Sequence, residues 1–310
     1  MTLTVLFAAS EKDWYTYGSA LRDALAQAGL FASLVTDAAP ETVDYIVYAP
    51  TSVLQDFTPY TNAKAVLSLW AGVEKIVTND TLTMPLARMV DPGMTQSMVE
   101  WVTGHVLRYH LGMDAHIINP NHVWEPTSTS LAQERTVCIL GLGALGSAVA
   151  EQLLALNFNV TGWSRSAKSI PGVRCYDGAE GLPEALSAAD IVVLLLPDTA
   201  GTENTLNAET LAVLPKGAFI INPGRGPLID DAALVAALNS GQVAHATLDV
   251  FRVEPLPSDH PFWAHPNVTV TPHIAATTRA ITASKEIAEN IKRSENGVPM
   301  INLVDRERGY

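Results

Sequence analysis

The chain has 310 residues, 48% apolar and 16% charged, enough for two ordinary domains with sizeable cores and unlike a disordered segment. Its formal net charge is −13, which excludes nucleic acid and anionic membrane as main partners, because both select basic surfaces. An anionic ligand would have to be drawn in by a local cluster of cations.

Met1 to Ser10 is apolar but short, lacks a basic start and runs into Glu11-Lys-Asp13, so it reads as a first strand rather than a signal peptide. That strand is placed at Leu3–Ala8, and further strands are expected at Ala32–Val35, Tyr45–Tyr48, Ala65–Leu69 and Leu86–Val90, with a helix over Trp14–Ala28 that stops at Gly29. One long helix is expected from about Gln96 to Ile118, followed by the proline-bracketed loop Asn119 to Pro126. A second series begins at Arg135, with strands Thr136–Leu140, Val160–Trp163, Ile191–Leu196, Ala218–Asn222, His245–Val250 and Val268–Val270, and a last helix over Thr277–Ser294. Short apolar runs alternating with helices predict an α/β fold of two doubly wound parallel sheets, Rossmann or flavodoxin-like, facing each other across an interdomain cleft. The longest apolar run, Ile191 to Leu196, is too short to span a membrane. Of the two cysteines, Cys138 lies in an apolar run and Cys175 in a short polar segment, so neither suggests a disulfide framework and a reducing, cytoplasmic location is expected.

Gly141-Leu-Gly-Ala-Leu-Gly146 follows an apolar strand and opens the amphipathic stretch Ala144–Leu156. That is the context in which a glycine loop cradles a dinucleotide pyrophosphate at a helix N-terminus, although a turn without a ligand would look similar. The next strand ends in Ser164-Arg165-Ser166, with Lys168 close behind, where an NAD-selective site usually has an acid. A solvated basic turn is the plain alternative, but the missing acid and the added bases both favour NADPH, with NADH as the weaker cofactor. Three further residues each follow a strand of the second series: Arg225 between two glycines, Glu254 before Pro255, and His273 after Pro272. Singly, each is an ordinary surface or capping residue. Together they offer a two-point grip on a carboxylate and an imidazole kept protonated by a neighbouring carboxylate, the equipment for reducing a 2-oxo acid.

The segments Gly141–Gly146, Leu195-Leu-Pro197 with Thr199 and Thr202, Ile221–Gly226, Leu248-Asp-Val-Phe251 with Glu254-Pro255, and Thr271-Pro-His-Ile-Ala275 resemble those of the D-isomer-specific 2-hydroxyacid dehydrogenase family. Leu69-Trp-Ala-Gly-Val-Glu74 is similar to its substrate loop, with Glu74 where Asp is common, and Gly226 is followed by an extra proline. Gly93 to Trp101 and Val304 to Tyr310 resemble its glyoxylate/hydroxypyruvate reductase A branch. The resemblance implies that Arg225 binds the substrate carboxylate and oxo oxygen, that Glu254 pairs with His273, and that His273 donates the proton. It implies carboxylate contacts from the N–H groups of Ala71, Gly72 and Val73. Cofactor contacts are implied at Gly141, Gly143, Ala144, Leu145, Gly146, Leu196, Pro197, Thr202 and Asp249. It further implies a homodimer, a site that Trp124 of its own or a partner subunit could cover, and a dinucleotide domain (98–284) inserted into a substrate domain (1–97 with 285–310).

No metal is expected. His105, His110 and His116 are spaced five and six apart and do not share a helix face, and His260 and His265 lie in a loop expected to face solvent or a dimer contact. A relative of another specificity, such as a D-lactate type enzyme, and a non-catalytic dinucleotide-sensing protein both remain open.

Overall fold

The computed structural model describes residues 2–117, 119, 121–126, 128–307 and 309. They form two compact units, Met1–Met94 with Thr277–Tyr310, and Thr95–Ala276.

The first unit contains β1 (Leu3–Ala8), α1 (Glu11–Gln27), β2 (Ala32–Val35), β3 (Tyr45–Tyr48), β4 (Ala65–Ser68) and β5 (Leu86–Ala87). The strands form a parallel sheet in the order β2-β1-β3-β4-β5. Helix α1 begins before the expected Trp14 because Ser10 and Asp13 form a reciprocal capping box, the hydroxyl accepting from the Asp13 amide at 3.2 Å and the carboxylate from the Ser10 amide at 3.2 Å. It ends as expected, with Gly29 at φ 77°.

The expected helix from Gln96 to Ile118 is instead α2 (Pro92–His110) and α3 (Asp114–Ile117). Gly112 takes φ 61° and breaks it, while Arg108 Nε donates to Asp114 Oδ1 at 2.6 Å across the break. Ile118, Pro120 and Tyr310 lie outside the described residues.

The second unit continues with β6 (Thr136–Leu140), α4 (Ala144–Ala155), β7 (Asn159–Ser164), β8 (Arg174–Asp177), α5 (Gly178–Leu186) and β9 (Ile191–Leu194). Then come α6 (Ala208–Val213), β10 (Ala218–Asn222), α7 (Asp231–Ser240), β11 (Val243–Leu248), α8 (Pro261–Ala264) and β12 (Val268–Val270). Its seven parallel strands run β12-β11-β10-β9-β6-β7-β8. The order reverses between β6 and β9, the switch point at which open α/β sheets bind ligands. Strand β8 was not expected from sequence, because Arg174-Cys-Tyr-Asp177 is a short, mostly polar edge strand without an apolar run. Cys138 is fully buried in β6, and burial pushes its thiol up to about 12, leaving it an inert core residue.

Helix α9 (Ala280–Glu295) returns to the first unit, where Ala283, Ile287 and Ile291 share one apolar cluster with Leu21 and Leu25 of α1. The boundary expected at 284/285 therefore moves ahead of this helix, since its whole apolar face packs in one cluster.

The three loop glycines after β6 differ. Gly141 has φ +109°, and a Cβ there would lie 2.5 Å from the Leu195 carbonyl oxygen. At Gly146 a Cβ would fall 1.9 Å from the Gly141 oxygen, where helix and strand meet. Gly143 is different: no atom lies within 4 Å of an added Cβ. Two glycines are therefore required by packing, and the third is required by nothing in the chain. Gly146→Ala is expected to lower stability by about 1–3 kcal/mol, through overpacking against backbone. Gly143→Ser, at the α4 N-cap where serine is favoured, is expected to hold stability within about 0.5 kcal/mol. Chemical denaturation of both variants checks this, and equal losses would refute the distinction.

Candidate active site

The glycine loop, the basic turn, the Leu196-Pro197 loop and the Arg225, Glu254 and His273 segments all leave the carboxyl edge of the seven-stranded sheet, since parallel strands all end on one side. After β6, Gly143 and Ala144 are exposed at the start of α4, whose N-cap carries no side-chain hydrogen bond. The amide groups of that first turn favour negative charge. Leu145 instead packs against the core, so only its backbone faces the loop. At the end of β7, Arg165, Ser166 and Lys168 are exposed, while Ser164 is buried and its hydroxyl donates to the Ser166 carbonyl at 2.8 Å. Ser164 thus shapes the basic turn, and no acid stands between it and Lys168.

After β9, Leu196 is buried in the main apolar cluster and Pro197 is partly exposed. Thr202, expected to contact cofactor, turns its hydroxyl inward: it donates to the Pro197 carbonyl at 2.7 Å and accepts from the Thr199 amide at 3.0 Å. It fastens the loop that carries Pro197.

Arg225 follows β10 on a turn fixed by Asn222, a residue not singled out from sequence. Asn222 is buried; its Nδ2 donates to the Arg225 carbonyl at 2.9 Å, and its Oδ1 accepts from the Gly224 amide at 3.1 Å. The signal was a buried amide at a strand end followed by Pro-Gly, a local side-chain-to-backbone pattern. The half-buried Arg225 guanidinium donates from Nη1 to the Gly224 carbonyl at 2.7 Å. Gly226 admits the loop after β11, for a Cβ there would lie 2.0 Å from the Phe251 carbonyl carbon.

Asp249 was expected to contact the cofactor, but the structure gives its carboxylate another task. The group is fully buried and accepts from Thr271 Oγ1 at 2.6 Å, from the Ile274 amide at 2.9 Å and from the Ala275 amide at 2.8 Å. Its backbone carbonyl also accepts from the His273 amide at 2.9 Å. These bonds hold His273 at φ 55°, a left-handed conformation that costs a non-glycine residue about 1–2 kcal/mol. Glu254 is fixed in turn by the Phe251 amide, which donates to its Oε1 at 3.0 Å. Its other oxygen meets His273 Nδ1 at 2.8 Å. With Nδ1 committed to the carboxylate, Nε2 is the ring atom left for an outside partner. Both side chains are partly open to solvent, 51% for His273 and 36% for Glu254.

In the first unit, the loop after β4 carries Ala71, Gly72 and Val73. Ser68 Oγ braces it by donating to the Trp70 carbonyl at 2.9 Å, and Val73 is buried with Ile76 below. The amides of these three residues hydrogen-bond to none of the described residues. Trp124 is 96% exposed on a loop bracketed by Asn119, which bonds both ways with the Val123 backbone.

Four of the other histidines have ordinary tasks. The rings of His105 and His110 lie 4.2 Å from Trp101 and 5.0 Å from Phe158, and burial lowers both pKa values. His260 and His265, expected to face solvent or a dimer contact, accept from the Phe262 and Asn267 amides through Nδ1.

The glycine loop, the basic turn and the Arg225, Glu254 and His273 segments all lie within a match to the family described as D-isomer specific 2-hydroxyacid dehydrogenase, NAD binding domain, at residues 106–275. A glyoxylate/hydroxypyruvate reductase A of Yersinia enterocolitica is 42% identical over 255 residues, 80% of this chain and 82% of that relative. The Serratia proteamaculans protein of the same name matches over the same share, again at 42%. Among solved structures, a D-isomer specific 2-hydroxyacid dehydrogenase from Xanthobacter autotrophicus, in complex with NADPH and MES, superposes with a TM-score of 0.91. It is 40% identical, with both chains fully covered. An NADPH-dependent glyoxylate/hydroxypyruvate reductase from Sinorhizobium meliloti, in complex with NADP and sulfate, is 34% identical with a TM-score of 0.85, covering 100% of this chain and 99% of the other. This chain belongs to the D-isomer specific 2-hydroxyacid dehydrogenase family.

Proposed function

We propose that this chain reduces small 2-oxo acids, glyoxylate and hydroxypyruvate foremost, to 2-hydroxy acids with NADPH. The observation that carries this reading is the Glu254–His273 contact of 2.8 Å, which leaves Nε2 as proton donor on the sheet edge that also holds Arg225 and the glycine loop. The relatives named for that activity support it. The second unit binds the dinucleotide and the first unit, through Ala71 to Val73, the substrate carboxylate.

The residues present fit NADPH: a Cβ at Gly143 would fill space the protein itself leaves empty, and the turn beyond β7 offers cations with no acid. Gly141, Gly143, Ala144, Leu145 and Gly146 hold the pyrophosphate through backbone and the α4 N-terminus. Arg165, Ser166 and Lys168 hold the 2′-phosphate, while Pro197 and its loop line the adenosine. When bound, NADPH supplies the hydride.

Arg225 orients the 2-oxo acid by its planar fork and stabilises charge developing on the oxo oxygen. His273 donates a proton from Nε2 to that oxygen, and Glu254 stabilises the imidazolium that donates it. Asp249 acts through His273 as a positioning residue. The active species is proposed to be a cytoplasmic homodimer in which the exposed Trp124 meets the partner subunit.

A panel of 2-oxo acids, assayed with NADPH and NADH side by side, tests the reading. Turnover of glyoxylate and hydroxypyruvate with NADPH is expected, and no turnover of any 2-oxo acid would overturn it. Arg165→Asp is expected to lower the NADPH-to-NADH ratio of kcat/KM by roughly tenfold or more, since a charge-assisted contact is worth about 1.5–3 kcal/mol. A ratio within about twofold of the parent would remove Arg165 from cofactor selection. His273→Ala is expected to cut turnover by roughly a hundredfold or more, as general acids contribute at that level, while the NADPH dissociation constant stays unchanged. Glu254→Gln keeps size and a hydrogen bond but removes the charge, so it should slow reduction, which needs imidazolium, more than oxidation, which needs neutral imidazole. An unchanged rate of reduction would show that the pair is not electrostatically coupled.

A further inference from the structure

The proposed chemistry gives no task to the segment from Val304 onward, although its sequence resembles that of the reductase branch. Within the first unit this segment follows a stretch paired along β5, the edge strand of the five-stranded sheet. Leu303 bridges Ala87 in antiparallel sense, the Arg88 amide donates to the Asn302 carbonyl at 3.0 Å, and the Val304 amide donates to the Leu86 carbonyl at 2.8 Å. Val304 packs on the apolar cluster that holds Val73, Ile76, Val77 and Leu82. The Glu307 amide then donates to Asp305 Oδ1 at 3.0 Å, a local turn that sets the backbone of Arg306.

The Arg306 guanidinium closes over the turns that follow Ala71 to Val73. Its Nε donates to the Val77 carbonyl at 3.1 Å, its Nη2 to the Asn79 carbonyl at 2.8 Å, and its Nη1 to the Leu82 carbonyl. Among the described residues, no backbone amide reaches the Val77 or Leu82 carbonyl. Arg306 therefore supplies donors that the turns do not supply themselves. Val77 is the link to the loop, for its amide donates to the Val73 carbonyl at 2.8 Å, beside the Ile76 amide at 3.0 Å. One residue thus bonds the loop through its N–H and Arg306 through its C=O. Charge-assisted bonds from a planar fork fix direction as well as distance.

We infer that Arg306 is a positioning residue for substrate binding, bracing the turns from Val73 to Leu82 so that the amides of Ala71, Gly72 and Val73 are aimed at the carboxylate of the 2-oxo acid. This rests on the reading of that loop as the carboxylate site. Donors aimed in advance bind an anion without first having to be ordered. Arg306 touches no reacting group, so its loss weakens ground state and transition state alike, which raises KM and spares kcat. The proposed NADPH contacts all lie in the second unit, so cofactor affinity is a separate readout.

The test measures kcat and KM for glyoxylate and hydroxypyruvate at saturating NADPH, with the NADPH dissociation constant, in the full chain, Arg306→Ala, Arg306→Lys and Gly72→Pro. Arg306→Ala is expected to raise KM for both acids by roughly fivefold or more and by the same factor, since the carboxylate is common to both. Its kcat and its NADPH dissociation constant should stay within about twofold of the parent. Arg306→Lys should lie closer to Arg306→Ala than to the parent, because one ammonium cannot replace the fork. Partial unfolding lowers apparent kcat and leaves KM alone, so a merely structural role gives the opposite split. Should the alanine variant fail to fold, the same split is read in Arg306→Lys. A lowered kcat with KM unchanged, a KM raised for one acid alone, or no change in either parameter overturns the inference. Gly72→Pro removes one loop amide and so tests the underlying reading directly. If its KM is unchanged, the carboxylate reading fails and the inference with it; if its KM rises while Arg306→Ala stays at the parent value, the inference alone fails.

Discussion

The buried carboxylate of Asp249 is the constraint on which the catalytic edge of the second unit depends. It is fully buried, and three donors (one hydroxyl and two amides) satisfy it from the single segment Thr271–Ala275. A buried carboxylate left unsatisfied would cost several kcal/mol, so the segment cannot drift from it cheaply. That rigidity holds His273 in a left-handed backbone conformation, which turns its ring toward Glu254. Geometry fixed before substrate arrives is what general-acid catalysis and electrostatic stabilisation require.

The same edge is assembled by close backbone approach. Gly226 lets the turn after β10 press on Phe251, and Arg252 spans outward from Phe251 to Asn204 and to the Ile229 carbonyl at 2.8 Å. Asn222 binds its own turn and also accepts the Asp249 amide through its carbonyl at 3.0 Å. The Arg225 turn, the Glu254 loop and the His273 segment are therefore one hydrogen-bonded assembly. Mutations in any of its buried members should couple energetically and not add.

Much of this was legible in the residues, and the exceptions have physical causes. Buried parallel strands such as Ile191–Leu194 are continuous apolar runs, so they were readable from sequence, whereas the polar edge strand β8 was not. The long helix was read through Gly112 because helical periodicity carries no information on a single left-handed residue. Arg225, Glu254 and His273 were found because their residue types are chemically conspicuous and each follows a strand. What sequence could not convey was direction. Thr202, Leu145, Leu196 and Ser164 all sit in segments expected to contact the cofactor, yet each turns its side chain into its own loop or the core. Asp249 differs in the same way, for whether a buried acid faces a ligand or a backbone turn depends on tertiary hydrogen bonds that no local motif encodes.

Charge separates overall field from local site. A chain of net charge −13 repels anions at long range, yet its proposed cofactor and substrate are both anionic. Screening confines that repulsion to within about 10 Å at ordinary ionic strength. Binding is then decided by groups in contact: exposed Arg165 and Lys168 at the end of β7, half-buried Arg225 after β10, and the amides at the start of α4. The half-buried Arg225 is the more selective. Its desolvation has already been met in folding, so an anion of the right shape recovers it while water recovers less. Exposed cations can set affinity for a phosphate, but discrimination between small 2-oxo acids that differ by one oxygen needs a donor that is dry before the substrate arrives.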